Sequence, residues 1–145
     1  MTLNPLETVR SYYDSLALGR RQILMQLLHP SVKIELQEGF PCTQRSYEGL
    51  KAYFEEFLFA IYGAFDLEFI VEEFLQCGPE VAAVGRHKGR ALRTGIPFDV
   101  PFVHLWTIQE GRLTHARMFT DTAVLRDAVA GAPTLAPEDL GKIRQ

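Results

Sequence analysis

The sequence has 145 residues, of which 47% are hydrophobic and 23% are charged, and its formal net charge is −3. This length and composition fit one globular domain with a substantial core. The negative net charge argues against a nucleic-acid-binding protein, which is normally basic. Two cysteines are too few for a disulfide framework. No apolar run approaches the roughly 20 residues of a membrane span. Because there is also no signal-peptide pattern, we expect a cytoplasmic protein that has no membrane partner.

The first predicted elements are two helices. Asn4 is suited to an N-cap and Pro5 to the first helical position, and apolar residues then repeat at helical spacing as far as Gly19. A second, shorter helix follows and ends at His29-Pro30.

A strand, a loop and a longer helix come next. Residues 31–37 alternate between apolar and polar, which predicts a strand, and residues 38–46 have a loop composition. Ser46 is predicted to begin a helix that Gly63 ends. The apolar face of this helix comprises Leu50, Tyr53, Phe54, Phe57, Leu58 and Ile61.

From Phe65 onward the pattern predicts four strands and a last helix. The strands are residues 65–76, 80–93, 98–108 and 112–120, and the helix is residues 122–130. Residues 1–130 are therefore predicted to form a single domain, and residues 131–145, which contain proline and glycine, a flexible tail. Helices followed by an antiparallel meander predict an α+β fold, in which a curved, mostly antiparallel sheet wraps around the N-terminal helices as a cone-shaped barrel that is open at one end.

The turn between the last two strands sets which residues face each other. A three-residue loop at 109–111 places His104 opposite Ala116, whereas a two-residue turn places it opposite Arg117. We favour the longer loop because it groups apolar side chains on one sheet face. These side chains are Val100, Phe102, Trp106, Ala116 and Met118.

Two ionisable residues stand near this apolar face. A lone histidine such as His104 is more often a hydrogen-bonded core residue than a catalyst, and Asp121 precedes a helix, where an aspartate serves as an N-cap. Together they also fit a small acid–base pocket. We expect that pocket to be lined by Tyr13, Phe54, Phe57, Val100, Phe102, Trp106, Ala116 and Met118.

The one basic run of the chain spans residues 86–93. Strand alternation sends Arg86 and Lys88 to one face and His87 to the other. The run is interpreted as a solvated hairpin, with an anionic group held at the mouth of the cone as the alternative. The four histidines have no metal-ligand spacing, so we expect no metal site and no cofactor.

Five segments, taken in order, resemble the SnoaL-like and ketosteroid-isomerase-like branch of the nuclear transport factor 2-like superfamily. They are V-R-S-Y-Y-D-S-L-A-L-G-R at 9–20, L-L-H-P-S-V at 27–32, Y-E-G-L-K-A-Y-F at 47–54, P-F-V-H-L-W-T-I-Q-E-G-R-L at 101–113 and M-F-T-D-T-A-V-L at 118–125. The resemblance implies a cystatin-like cone with a pocket, and usually a homodimer through the outer sheet face.

The resemblance also implies roles for particular residues. His104 falls where the steroid isomerases place an aspartic acid that donates to the forming oxyanion, and Tyr12 where they keep an oxyanion tyrosine, with Tyr13 as the alternative register. Asp121 falls where polyketide cyclases keep an acid–base aspartate. The isomerases' general-base aspartate is replaced here, since that position corresponds to Leu36.

Two functional hypotheses follow. The first is a cofactor-independent acid–base enzyme of the isomerase, cyclase or dehydratase type, acting on a small hydrophobic carbonyl compound, with Asp121 as acid or base and His104 and Tyr12 as oxyanion donors. The second is a non-catalytic small-molecule-binding or dimeric assembly module, which the absence of a base at Leu36 favours. In either case His115, Arg117 and Phe119 are expected to face a partner subunit.

Overall fold

The computed structural model describes residues 3–41 and 43–131. The cysteine at position 42, in the predicted loop, and the predicted flexible tail from residue 132 onward lie outside the described residues.

The described chain contains five α-helices and six strands, and four strands in a row follow α4. The helices are α1 (Pro5–Ala17), α2 (Arg21–Leu27), α3 (Leu50–Ala52), α4 (Leu58–Ala64) and α5 (Thr122–Ala130), and a π-helical turn (Tyr53–Phe57) joins α3 to α4. The strands are β1 (Leu28–Leu36), β2 (Ser46–Glu48), β3 (Phe65–Cys77), β4 (Glu80–Ala91), β5 (Pro97–Gln109) and β6 (Arg112–Thr120). None of the described helices has the length and apolar character needed to cross a membrane.

The six strands form one curved, unclosed sheet in the order β2-β1-β6-β5-β4-β3. The β1–β6 pair is parallel and the other neighbouring pairs are antiparallel. The predicted α+β class and the mostly antiparallel sheet are confirmed. The concave face of this sheet carries the core, which packs against α1 and the α3–α4 helix.

The local signals at two helix starts are confirmed. The side chain of Asn4 accepts a hydrogen bond from the backbone N–H of Glu7, and Pro5 opens α1. The N-terminus of α5 is capped in the same way by Asp121, whose carboxylate accepts from the N–H of Val124.

The predicted start and end of the long helix are wrong. Residues Ser46–Glu48 instead form β2, which pairs with the edge of β1, and Gly49 adopts a φ of 91°, a backbone conformation that favours glycine. The helix begins only at Leu50, where the apolar helical repeat itself begins. It continues past Gly63 to the end of α4, and β3 follows without a loop.

The register of the last hairpin is also different from both predicted alternatives. His104 lies opposite Met118, Phe102 opposite Thr120 and Trp106 opposite Ala116. The turn has two residues, and a further irregularity between Thr107 and Ile108 adds one more residue to β6. The total shift from the favoured register is two residues, so every side chain keeps its predicted face although its opposite neighbour changes.

Buried residues form two clusters. The larger lies between α1, the α3–α4 helix and the sheet, and includes Tyr12, Tyr13, Phe102 and Trp106. The smaller lies beneath α5 and contains Phe65, Ala91, Phe98, Val100, Leu125 and Ala128. The structure therefore places Val100 under α5 and away from the predicted pocket.

Candidate functional site

A small cavity opens between the sheet and the helices where the two clusters approach each other. Its volume is about 20 Å³, which is room for about one water molecule. It is lined by Leu36, Phe40, Phe57, Ile61, Phe65, Leu67, Phe69, His87, His104, Met118, Phe119, Thr120 and Leu125. Among the described residues, this lining contains no carboxylate, lysine or arginine, so its only titratable groups are two imidazoles.

His104 is held in the cavity wall by a chain of buried hydrogen bonds. Trp106 Nε1 lies 2.9 Å from the hydroxyl oxygen of Tyr13, and that oxygen lies 2.5 Å from Nδ1 of His104. The Tyr13 and His104 rings also stack, with their centroids 5.9 Å apart. His104 and Trp106 lie two positions apart on β5, so strand alternation directs both toward the tyrosine on α1.

This chain fixes the protonation of His104. An indole N–H only donates, so the Tyr13 oxygen accepts from Trp106. The proton of the Tyr13 hydroxyl is buried and needs an acceptor, which is Nδ1 of His104. Burial, with a smaller effect from nearby His87, holds the pKa of His104 well below its usual range. His104 is therefore neutral, with its own proton on Nε2.

Tyr13 remains a neutral hydrogen-bond donor. Burial is the largest cause that raises the pKa of Tyr13 well above its usual value, and the hydrogen bond from Trp106 opposes that rise only in part. The hydroxyl therefore keeps its proton throughout the physiological pH range.

The second imidazole in the cavity belongs to His87. Only 4% of this residue is exposed, and its Nε2 has no hydrogen-bond partner among the described residues. Burial lowers the pKa of His87 to about 4. Its ring stacks on Phe102 at 4.6 Å and lies 5.8 Å from the ring of His104.

Sequence reasoning did not include His87 in the site. Alternation did place it on the face opposite Arg86 and Lys88, and the structure agrees, because both cations contact Asp99 on the exposed face. The sequence did contain a feature that could have identified His87 as a site residue. It lies on the buried face of its strand, between Gly85 and Gly89.

The predicted position of Asp121 in the pocket is wrong. Its side chain is exposed, it accepts from the N–H of Val124 at 3.2 Å, and it is absent from the cavity lining. The physical reason is that Asp121 lies between β6 and α5, where the free N–H groups of the helix orient the carboxylate away from the cavity.

Tyr12 is also not in the cavity lining. Its hydroxyl forms a buried hydrogen bond of 2.7 Å with Tyr53, and its ring packs against Trp106 at 4.6 Å. Adjacent residues on a helix point about 100° apart, so only one of the two tyrosines reaches His104. That residue is Tyr13, as in the alternative register.

Most of the other predicted pocket residues fill the core behind the cavity. Phe57 and Met118 line the cavity as predicted. Tyr13, Phe54, Phe102, Trp106 and Ala116 are buried in the larger cluster but are not in the cavity lining. The tyrosines of α1 occupy the space that sequence reasoning assigned to a ligand.

The described residues contain no group of three or more histidine, cysteine, aspartate or glutamate side chains that could hold a metal ion. On the outer sheet face, His115 Nε2 is 2.7 Å from a carboxylate oxygen of Glu35.

Solved structures with the same fold are numerous. An NTF2-like protein from Burkholderia thailandensis E264 is 25% identical, with a TM-score of 0.78 over 87% of this chain and 97% of the other. A proposed SnoaL-like polyketide cyclase from Jannaschia sp. CCS1 is also 25% identical, with a TM-score of 0.76 over 90% and 93%. TerC, co-crystallised with polyporic acid, is 22% identical, with a TM-score of 0.77 over 87% and 98%.

Sequence comparison gives the family. No curated protein matches the chain. The model of the SnoaL-like domain, however, matches residues 9–116, which include most of α1 as well as His87, His104 and Trp106. This span covers most of the chain, and the cone-like sheet seen here agrees with it. The chain therefore belongs to the SnoaL-like domain family.

Proposed function

We propose that this chain is a cofactor-independent acid–base enzyme that acts on a small, uncharged, largely apolar carbonyl compound in the cavity. In this proposal His104 donates a hydrogen bond from Nε2 to the carbonyl oxygen. The observation that carries the proposal is the chain from Trp106 through Tyr13, which leaves a neutral His104 with its proton on the free ring nitrogen.

The chemistry that suits such a donor is enolisation. When a proton leaves the carbon next to a carbonyl group, negative charge develops on the oxygen. A fixed donor in an apolar, water-poor site stabilises that charge more than water does, because the donor needs no reorganisation. Isomerisation, aldol-type cyclisation and dehydration can all begin with this step, which fits the polyketide-cyclase name of the structural neighbour from Jannaschia.

The cavity lining supports an uncharged ligand. Apart from His87, His104 and Thr120, the lining residues are hydrophobic, and both histidines are neutral. A buried ionic group would find no opposite charge there, and its desolvation would be costly. The aromatic rings in the lining favour a flat, apolar molecular frame.

A non-catalytic binding module is the second candidate. Two observations favour it: the cavity has a volume of only about 20 Å³, and Leu36 lines it where the related isomerases carry a carboxylate base. A ligand would have to displace side chains in order to enter, since ligand pockets usually have about 300–1,000 Å³.

Proton exchange separates the two candidates. We would incubate the protein with β-tetralone in D2O and follow deuterium incorporation next to the carbonyl group by NMR. Replacing His104 by Phe should lower the exchange rate about 100- to 1,000-fold, as for the loss of an oxyanion donor. His29→Gln, which changes a histidine outside the cavity, is the matched control. A wild-type protein that binds β-tetralone without exchanging its protons would support the binding module and contradict the enzyme.

A further inference from the structure

His87 occupies an unusual position for a histidine of a basic run. Its neighbours Arg86 and Lys88 lie on the outer face and contact Asp99, with Arg86 Nε at 2.6 Å and Lys88 Nζ at 3.8 Å from its carboxylate. His87 alone turns inward, where only 4% of it is exposed and where it lines the same cavity as His104.

Glycines flank His87 on the same inward face of β4. A Cβ at Gly85 would lie 2.0 Å from the backbone oxygen of Ile70, and one at Gly89 would lie 2.0 Å from that of Asp66. These distances are far too short, so neither position accepts a side chain. The close approach of β3 and β4 therefore leaves His87 as the only side chain that this part of β4 presents to the cavity.

One of the two ring nitrogens of His87 has no hydrogen-bond partner among the described residues. Nε2 is buried and forms no hydrogen bond with any described residue. Its surroundings are aromatic, with Phe102 stacked on one side, Phe69 in edge contact at a centroid distance of 4.8 Å, and His104 at 5.8 Å. A buried polar atom without a partner destabilises a fold, so a residue with only a packing role would more favourably be apolar.

We propose that His87 is a second catalytic residue of the cavity, which accepts a proton from the ligand carbon next to the carbonyl group that His104 holds. This role rests on the proposed function of the cavity. Its observational basis is that His87 lines the cavity beside a neutral hydrogen-bond donor, while its buried Nε2 has no partner among the described residues.

The proton transfer balances without another reactant. His87 acts in the neutral tautomer that carries its own proton on Nδ1, which leaves a free electron pair on Nε2. The C–H bond of the ligand breaks, its proton bonds to Nε2 of His87, and its electron pair forms the C=C bond of the enolate. The carbonyl π electrons move to the oxygen, which accepts the hydrogen bond from Nε2–H of His104. Return of the proton from His87 to another ligand atom completes an isomerisation and restores both imidazoles.

Charge accounts for how a buried imidazole can act as a base. Burial keeps His87 neutral at physiological pH, so it can accept a proton without first losing one. Once the proton has moved, the imidazolium faces an enolate in the same apolar cavity. Their attraction is strong at low dielectric and opposes the desolvation that otherwise disfavours a charged His87.

The test uses the β-tetralone exchange reaction with His87→Gln. Glutamine retains hydrogen-bonding groups but cannot accept a proton, so exchange should fall about 100-fold or more, while the dissociation constant of β-tetralone changes little. His87→Phe, which retains the stacking on Phe102, is the second variant in case the glutamine variant does not fold. His29→Gln should exchange at the wild-type rate.

A second measurement reports contact with the ligand directly. β-Naphthol resembles the enol of β-tetralone, and its binding should shift the imidazole ¹⁵N resonances of His87 as well as those of His104. The proposal is overturned if His87 resonances do not move at saturation, or if His87→Gln and His87→Phe exchange at the wild-type rate. If His104→Phe alone abolishes exchange, the proposed function stands and only the role of His87 fails. If the wild-type protein exchanges no protons, both fail.

Discussion

Tyr13 and His104 are 91 positions apart in the chain, and their side chains meet in a hydrogen bond of 2.5 Å between the tyrosine oxygen and Nδ1 of the imidazole. Because Trp106 donates to the same oxygen, the tyrosine has one direction left for its own proton. This contact between α1 and β5 thereby determines the tautomer of His104. Its proton is on Nε2, the ring nitrogen that is proposed to donate to a ligand.

Tyr13→Phe tests this relationship. The change leaves Nδ1 of His104 and Nε1 of Trp106 without their shared partner, at a cost of roughly 1–3 kcal/mol for each buried group. Tyr12→Phe is the matched control, because it removes an equally buried hydroxyl that has a single partner, Tyr53. Urea unfolding should show the larger loss of stability for Tyr13→Phe, and imidazole ¹⁵N NMR should show a change of His104 tautomer only in that variant. Equal losses and an unchanged tautomer would contradict the hydrogen-bond chain.

The buried histidines should make the fold sensitive to acid. Burial lowers the pKa of His87 from 6.5 to about 4, so between these values the unfolded chain binds a proton at this position and the folded chain does not. Protonation of His87 in the unfolded chain therefore leaves stability unchanged above pH 6.5 and lowers it as the pH falls toward 4, by about 3 kcal/mol in total.

The measurement is the free energy of unfolding of the wild type and of His87→Phe at pH 7 and at pH 5. The variant should lose less stability on acidification, and the rest of the loss should come mainly from His104, whose pKa burial also lowers. If His87→Phe loses as much stability between pH 7 and pH 5 as the wild type does, the pKa of His87 is not lowered by burial and the prediction is wrong.

Asp121 is expected to act only as a helix cap. Asp121→Asn retains a capping oxygen and should have nearly wild-type stability, whereas Asp121→Ala should lose about 1 kcal/mol. Both variants should exchange the protons of β-tetralone at the wild-type rate, since the carboxylate is exposed and bound to the N–H of Val124. A large loss of exchange in Asp121→Asn at unchanged stability would restore the aspartate to the mechanism.

Phe40 is expected to control entry of the ligand. It is the one lining residue in a loop, its ring is half-buried, and it contacts Phe65 at a centroid distance of 6.5 Å. Phe40→Ala should enlarge the cavity and increase the association rate of β-naphthol, measured by stopped-flow fluorescence. Its cost in stability should stay below the roughly 3–5 kcal/mol of a fully buried phenylalanine. Phe59→Ala, at an exposed position outside the cavity, should leave the association rate unchanged.

The outer sheet face is proposed as a homodimer interface. Phe119 borders the cavity but is 38% exposed, and Arg117 beside it is exposed. On the same face, hydrogen bonds from His115 and Lys33 lower the pKa of Glu35. A stable interface should bury at least about 1,000 Å² in total. Light scattering should give a dimer for the wild type and a monomer for Phe119→Glu, with Phe59→Glu as the control. A monomeric wild type at micromolar concentration would contradict the proposal.

Local chemistry in the sequence determined much of this protein. The capping residues of α1, the bounds of β6 and α5, and the alternation that puts His104 on one face with Phe102 and Trp106 all follow from interactions within a few residues. These signals, with the order of the elements, predicted the α+β class. The resemblance of five ordered segments to known proteins then identified the family.

The site itself depended on contacts between distant segments. Alternation assigns a side chain to a face, but strand curvature and register decide which faces meet, so the sequence alone could not select Tyr13 over Tyr12 or direct His87 into the cavity. The same limit applies to Asp121, where a helix cap and a catalytic acid require the same residue at the same position. Tertiary packing resolved each case, because the hydroxyl of Tyr13 and not that of Tyr12 meets His104, and the N–H of Val124 in α5 binds the exposed carboxylate of Asp121.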